Sequence, residues 1–136
     1  MPDKTVGDLM QKGITACRPD TPMTEVVRII LDTDVHAIVV MDDHNQAQGI
    51  LSDLDIVRLY GTDLSRHTAR EAMSDHVNTI EPTQLARLAA ARMLEKGIPR
   101  LLVIETDQDP PRPVGIISAS DLVKGMRGAR WIWHIA

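Results

Sequence analysis

The chain has 136 residues, 43% hydrophobic and 25% charged, the balance expected of a soluble globular protein with one domain's worth of core. A net charge of −4 gives it no general attraction for nucleic acid, and with no Phe, two Trp and one Tyr it cannot build a base-stacking surface on rings. A single cysteine, Cys17, excludes an intramolecular disulfide and a thiolate metal site. The core must be aliphatic. No apolar run approaches the roughly 18–20 residues of a membrane span, and the start MPDKTVGDLM lacks the basic region and apolar core of a signal peptide, so a cytoplasmic location is expected.

In chain order, a short helical start over residues 6–11 leads to an extended segment over 14–18. Thr21 is then read as an N-cap with Pro22 at the first helical position, and Met23, Val26, Val27, Ile30 and Leu31 form one apolar stripe of a helix. Two strands follow over 37–41 and 49–51, and a final helix begins near Ser52.

The chain then repeats itself. Val35–Val40 against Ile98–Val103 gives an offset of 63, which also aligns Met10 with Met73, Pro19 with Pro82 and Leu31 with Leu94. The second copy has a helical start over 69–74, an extended segment over 77–81 and a helix carrying Leu85, Leu88, Ala89 and Met93, stopped by Gly97. Its strands are expected over 101–104 and 114–117, and its last helix begins near Ser118. Past the second strand the offset becomes 66, the extra residues falling in the polar, proline-rich stretch 106–113, where a surface loop absorbs them. Each copy reads strand, helix, strand, strand, helix. Near-continuous aliphatic strands such as AIVVM and RLLVI are expected where both sheet faces are covered. One copy alone would hardly support a core, and two copies share one.

The copies share polar residues as well as apolar ones: GILSDLD starts at Gly49 and GIISASD at Gly115. The glycine lets another backbone or a ligand come close. Ser52 and Ser118 fall where strand gives way to helix, and Asp55 and Asp121 lie three residues on, which is the capping-box spacing with Asp in place of Glu. The same geometry offers helix-terminal amides to a phosphate and a carboxylate to the hydroxyls of a ribose. The two readings do not exclude one another.

This doubled pattern resembles a tandem pair of cystathionine beta-synthase (CBS) domains, the Bateman module, over nearly the whole chain, with the family motif of Gly, two apolar residues, Ser or Thr, two variable residues and Asp complete both times. The resemblance implies a mixed α/β (α+β) fold of two βαββα repeats, residues 6–61 and 69–127, packed with pseudo-two-fold symmetry and followed by a Trp-containing tail over 128–136. It implies two clefts for adenosine-based ligands such as AMP, ADP, ATP or S-adenosylmethionine, each mixing residues of both repeats. One would join Ser52 and Asp55 with Val77, Thr79, Ile80 and Arg100, the other Ser118 and Asp121 with Thr15, Cys17, His36 and Ala37. Arg100 would meet phosphate and make its cleft the tighter one, although Asp53 lies near. The first copy has Ala37 at the corresponding place, with only His36 beside it.

His36, His44, His67, His76 and His134 show no metal-ligand spacing, and no nucleophile, phosphate-loop or dinucleotide motif is present, so neither a metal nor catalysis is expected. The expected role is a ligand-sensing regulatory module, a homodimer, whose nucleotide is a regulatory ligand rather than a cofactor and whose output passes to a separate protein. The alternative is a structural dimerisation module whose Ser-x-x-Asp pairs are only caps. Trp131, Ile132, Trp133 and Ile135 are expected to fold back on the module or to pack in a dimer, the alternative being docking to a partner or a membrane surface.

Overall fold

The computed structural model describes residues 3–127; the tail with Trp131, Ile132, Trp133 and Ile135 lies outside the described residues. In chain order the elements are α1 (Val6–Leu9), β1 (Gln11–Lys12), β2 (Ala16–Cys17), α2 (Met23–Thr33), β3 (Ala37–Met41), β4 (Ala47–Ser52), α3 (Asp53–Val57), a 3₁₀ turn (Leu64–Arg66), α4 (Ala69–Ala72), β5 (Thr79–Ile80), α5 (Ala86–Lys96), β6 (Arg100–Glu105), β7 (Arg112–Ser118) and α6 (Ala119–Gly125). They fall into two compact units: residues 13–77 with 106–113, and, among the described residues, 3–12 with 78–105 and 114–127.

In the first unit β2 runs parallel to β3, and β3 antiparallel to β4, with Ala37 opposite Ser52. Ala37 through Val40 are buried in succession, so both faces of β3 are covered, as the aliphatic run requires. The core is aliphatic throughout: Met23 and Val26 from α2, Ile38 and Val40 from β3, Leu51 from β4, with Cys17 and Ala69. Leu31, expected on the apolar stripe, is 74% exposed. Thr21 does not cap α2. Pro22 holds the cap position with no side-chain bond, and the Thr21 hydroxyl accepts from the Arg18 amide at 3.0 Å, because a tight turn between β2 and α2 claims it first.

The second unit has the strand order β1-β7-β6-β5, with β5 parallel to β6 and β1 antiparallel to β7. Val6, Ile80, Ala89, Met93, Leu101, Val103 and Ile117 form its core.

Each unit takes its helical start from the other repeat. The expected helix over residues 6–11 ends at Leu9, and Gln11 instead pairs with Ile116 on β7. Correspondingly, Ser74 pairs with Ile50 on β4 through reciprocal amide bonds of 3.0 and 3.1 Å. Thr5 pairs with Leu85 as Thr68 pairs with Pro22, and the Gly7 amide bonds the Pro82 carbonyl at 2.8 Å as Arg70 bonds Pro19 at 2.9 Å. The motif glycines make this possible. A Cβ on Gly49 would lie 2.5 Å from Met73 Sδ and 2.6 Å from the Ser74 carbonyl oxygen, and one on Gly115 would collide with the Gln11 carbonyl oxygen.

The helices end alike but not identically. α5 stops at Gly97 in the left-handed region (φ 64°), and α2 stops at Asp34 in the same conformation (φ 53°). A Cβ on Gly97 meets nothing within 4 Å, so Gly97→Ala should lose only the backbone preference, about 1–2 kcal/mol. Gly115→Ala should cost roughly 1–3 kcal/mol through overpacking and also unseat β1. Denaturant melts with amide exchange check this: only Gly115→Ala should remove protection at Gln11 and Ile116.

Candidate functional site

Ser52 ends β4 and Ser118 ends β7, each with extended φ and ψ at the N-cap of the next helix. An N-cap leaves the first helical amides unpartnered, and a carboxylate three residues on can answer the cap's own amide. In one unit Asp55 Oδ2 accepts the Ser52 amide at 2.8 Å and its hydroxyl at 3.1 Å; in the other Asp121 Oδ2 accepts those of Ser118 at 2.8 and 2.9 Å. Both aspartates are buried, at 7% and 4% exposure. An ionised carboxylate is tolerated there because its oxygens find donors.

The second oxygens differ. Asp55 Oδ1 accepts from Arg58 Nη1 at 3.1 Å, whereas Asp121 Oδ1 accepts a long bond of 3.4 Å from the Gln11 side-chain amide. Neither Arg58 nor Gln11 was singled out from sequence. Arg58 had a signal, since a cation three residues after a helical carboxylate shares its face. Gln11 had none, because it reaches Asp121 across a strand pairing 110 residues away in the chain.

Within the units the motif residues keep company that the cross-repeat grouping did not anticipate. The Ala119 amide bonds the Pro99 carbonyl at 2.9 Å, which sets Arg100, the first residue of β6, beside Ser118 and Asp121 in the same unit. No hydrogen bond or ion pair to the Arg100 guanidinium is found among the described residues. In the other unit Ala37 pairs with Ser52, and His36 Nδ1 lies 4.0 Å from Asp53 Oδ2, both side chains exposed. His36 and Ala37 therefore sit with Ser52 and Asp55. The reason is register: β3 and β6 each start where the following strand ends, so strand start and motif meet inside one sheet.

The remaining candidates divide by burial. Val77 and Thr79 are half-buried, as is Thr15. The Thr15 carbonyl accepts the Val39 amide at 2.9 Å, and that of Thr79 accepts from Arg92 at 2.8 Å. Ile80 and Cys17 turn their side chains into the two cores. Burial pushes the Cys17 thiol up to about 11, against a weaker opposing hydrogen bond from Thr21. Asp42 closes the β3–β4 turn: its carboxylate accepts the His44 and Gln46 amides at 2.8 and 2.9 Å, and these bonds, that from Gln46 foremost, hold its pKa below the usual aspartate value. Among the described residues no cluster of His, Cys, Asp or Glu could hold a metal ion, and no helix is long and apolar enough to cross a membrane.

This arrangement, two sheets each closed by a Gly-x-x-Ser-x-x-Asp turn with a buried carboxylate, is that of a tandem repeat. The CBS domain family matches residues 6–61 and 69–128, and the chain belongs to it as a CBS pair. Its fold is similar to that of an uncharacterized conserved protein from Pyrococcus horikoshii, with 23% identity, a TM-score of 0.82, and coverage of 98% of this chain and 100% of that one. It is also similar to the CBS domain pair of protein MJ0100, solved in complex with 5′-methylthioadenosine and S-adenosyl-L-methionine, at 21% identity and TM-score 0.79 over 90% of this chain and 95% of that one. Among curated relatives, the arabinose 5-phosphate isomerase KdsD of Pseudomonas aeruginosa is 33% identical over 88% of this chain and 37% of its own length. The chain spans 61%, 37% and 28% of the length of three curated relatives, KdsD being the second.

At pH 8 a thiol titrating near 11 is on the order of 0.1% thiolate, so native Cys17 should resist alkylation. Iodoacetamide labelling followed by mass spectrometry should be at least tenfold slower than in urea; equal rates would place the thiol in solvent.

Proposed function

We propose that this CBS pair is a regulatory module that binds an adenosine-containing ligand and passes the signal to a separate protein. The observation that carries the reading is Asp121: a buried carboxylate fixed by Ser118, with its other oxygen held, among the described residues, by a 3.4 Å bond, and with Arg100, whose guanidinium has no partner among the described residues, at the neighbouring strand start. A ribose diol donates two hydrogen bonds to such an oxygen, and a planar guanidinium grips a phosphate or carboxylate with two. Ser118, Asp121 and Arg100 then serve one ligand, and Ser52, Asp55 and His36 a second. Thr15, Ala37, Val77 and Thr79 are candidate contacts for the base; Cys17 and Ile80 offer only backbone, their side chains facing the cores. The adenosyl ligands held by the MJ0100 pair support this class of ligand. AMP, ADP, ATP and S-adenosylmethionine remain the candidates, as regulatory ligands.

The capping boxes themselves favour a second reading, since in each the serine and aspartate side chains satisfy one another's backbone amides: a structural dimerisation module. Calorimetric titration with adenosine, AMP, ATP and S-adenosylmethionine separates the two. Asp121→Ala should weaken adenosine binding by about 1.5–3 kcal/mol, the scale of hydrogen bonds to a charged group, and lower stability by only about 1 kcal/mol. Arg100→Ala should weaken AMP but spare adenosine. If Asp121→Ala lowers the melting temperature and leaves every affinity intact, the capping reading stands.

Assembly is proposed on separate grounds. Exposed apolar residues recur at matching positions of the two units: Leu31 and Leu94 at 74% and 84%, Val57 and Val123 at 59% and 63%, Tyr60 and Met126 at 92% and 77%. Duplicate uncovered faces suit an isologous homodimer. Light scattering should give twice the 15.1 kDa chain mass at tens of micromolar, and Leu31→Lys with Leu94→Lys should return the monomer. A wild-type chain that stays at 15.1 kDa with and without nucleotide rejects the dimer.

A further inference from the structure

We infer that Arg58 is a built-in competitor for the ligand of Asp55, so that the two motif carboxylates fill in order, Asp121 before Asp55; this rests on the adenosine-binding reading above. Both Oδ2 atoms are engaged identically, by the amide and hydroxyl of their own serine. Whatever a diol takes, it must take Oδ1. At Asp121 that atom is held by a neutral amide at 3.4 Å, near the limit of a hydrogen bond. At Asp55 it is held by a guanidinium at 3.1 Å, a charge-assisted bond.

The asymmetry is a matter of which residues stand at equivalent places. The offset of 66 sets Lys124 where Arg58 stands, and no ion pair joins Lys124 to Asp121 among the described residues. The offset of 63 sets Ser74 where Gln11 stands, too short to reach a carboxylate as the Gln11 amide does. The carboxylate of Asp55 is 9% exposed, leaving little room for a diol and a guanidinium together, whereas the Arg58 side chain is 74% exposed and has solvent to retreat into. Ligand entry at Asp55 therefore exchanges one donor for another, while entry at Asp121 displaces almost nothing. Because the arginine end of the pair is largely hydrated, the handicap is moderate, about three- to tenfold in affinity.

Adenosine is the probe, being uncharged, so that removing a cation alters its binding only through the competition. Asp121→Asn isolates the Asp55 site, and Arg58→Met keeps the side-chain stem while removing its donors. Calorimetry should show adenosine binding three- to tenfold tighter to the double variant than to Asp121→Asn alone, with Lys124→Met in the wild-type background leaving both sites unchanged. Equal or weaker binding in the double variant overturns the competitor and leaves the adenosine-binding reading intact. If wild type and all variants bind no adenosine up to millimolar concentration, that reading falls and the competitor falls with it. Should Asp121→Asn fail to fold, amide shifts of Ser52 and Asp55 against those of Ser118 and Asp121 report each site in wild type and in Arg58→Met, with the same outcomes deciding.

Discussion

A Cβ on Gly49 would lie 2.6 Å from the Ser74 carbonyl oxygen, and one on Gly115 nearer still to that of Gln11, so each sheet accepts its outermost segment only because its motif begins with glycine. That close approach fixes much else. It brings α1 and β1 into the unit of β5–β7, and α4 with Ser74 into the unit of β2–β4, so neither unit coincides with one repeat. Cutting the chain between the repeats would separate each sheet from its own edge. It also sets Gln11 where its side chain reaches Asp121. The glycine of the motif is thus a structural requirement, and the serine and aspartate act on a strand end that the glycine has positioned.

The sequence carried the periodic parts well. The strands β3, β4, β6 and β7, the apolar faces of α2 and α5, the left-handed stop at Gly97 and the serine caps all follow from residues within a few positions of one another. What it could not show depends on longer reach or on competition. A two-residue strand such as β1 has no period to detect, and an apolar face says that a helix is buried without saying against which sheet. Thr21 looked like a cap because its own helix needs one, yet the Arg18 amide, three residues back, captured its hydroxyl.

Repetition preserved the backbone more closely than its polar partners. Gly7 and Arg70, and Gln11 and Ser74, make matching main-chain bonds although their side chains share little. Main-chain pairing needs only a register, whereas a side-chain contact needs a particular length and charge. Asp34 and Gly97 show the same tolerance: both hold the left-handed stop, one with a Cβ and one without. Any functional difference between the units must therefore lie in side chains hung on a shared frame, such as Arg58 and Gln11 at the two carboxylates, or His36 and Arg100 near the two strand starts.

Capping and the proposed ligand binding, which the spacing alone left side by side, would use different atoms of the same carboxylate. Oδ2 belongs to the serine: two short bonds from one residue hold it and fix the plane of the group. Oδ1 is left at the end of the sheet, with one partner among the described residues that differs between the copies. A carboxylate already oriented and already taken out of bulk water loses little further freedom when a diol arrives. The cap would in this sense be the preparation of the proposed site. A longer side chain at that position could still answer the serine amide, but with an extra rotatable bond it would hold its second oxygen less firmly, and an amide in place of the acid would lose the charge that makes hydroxyl donors bind well.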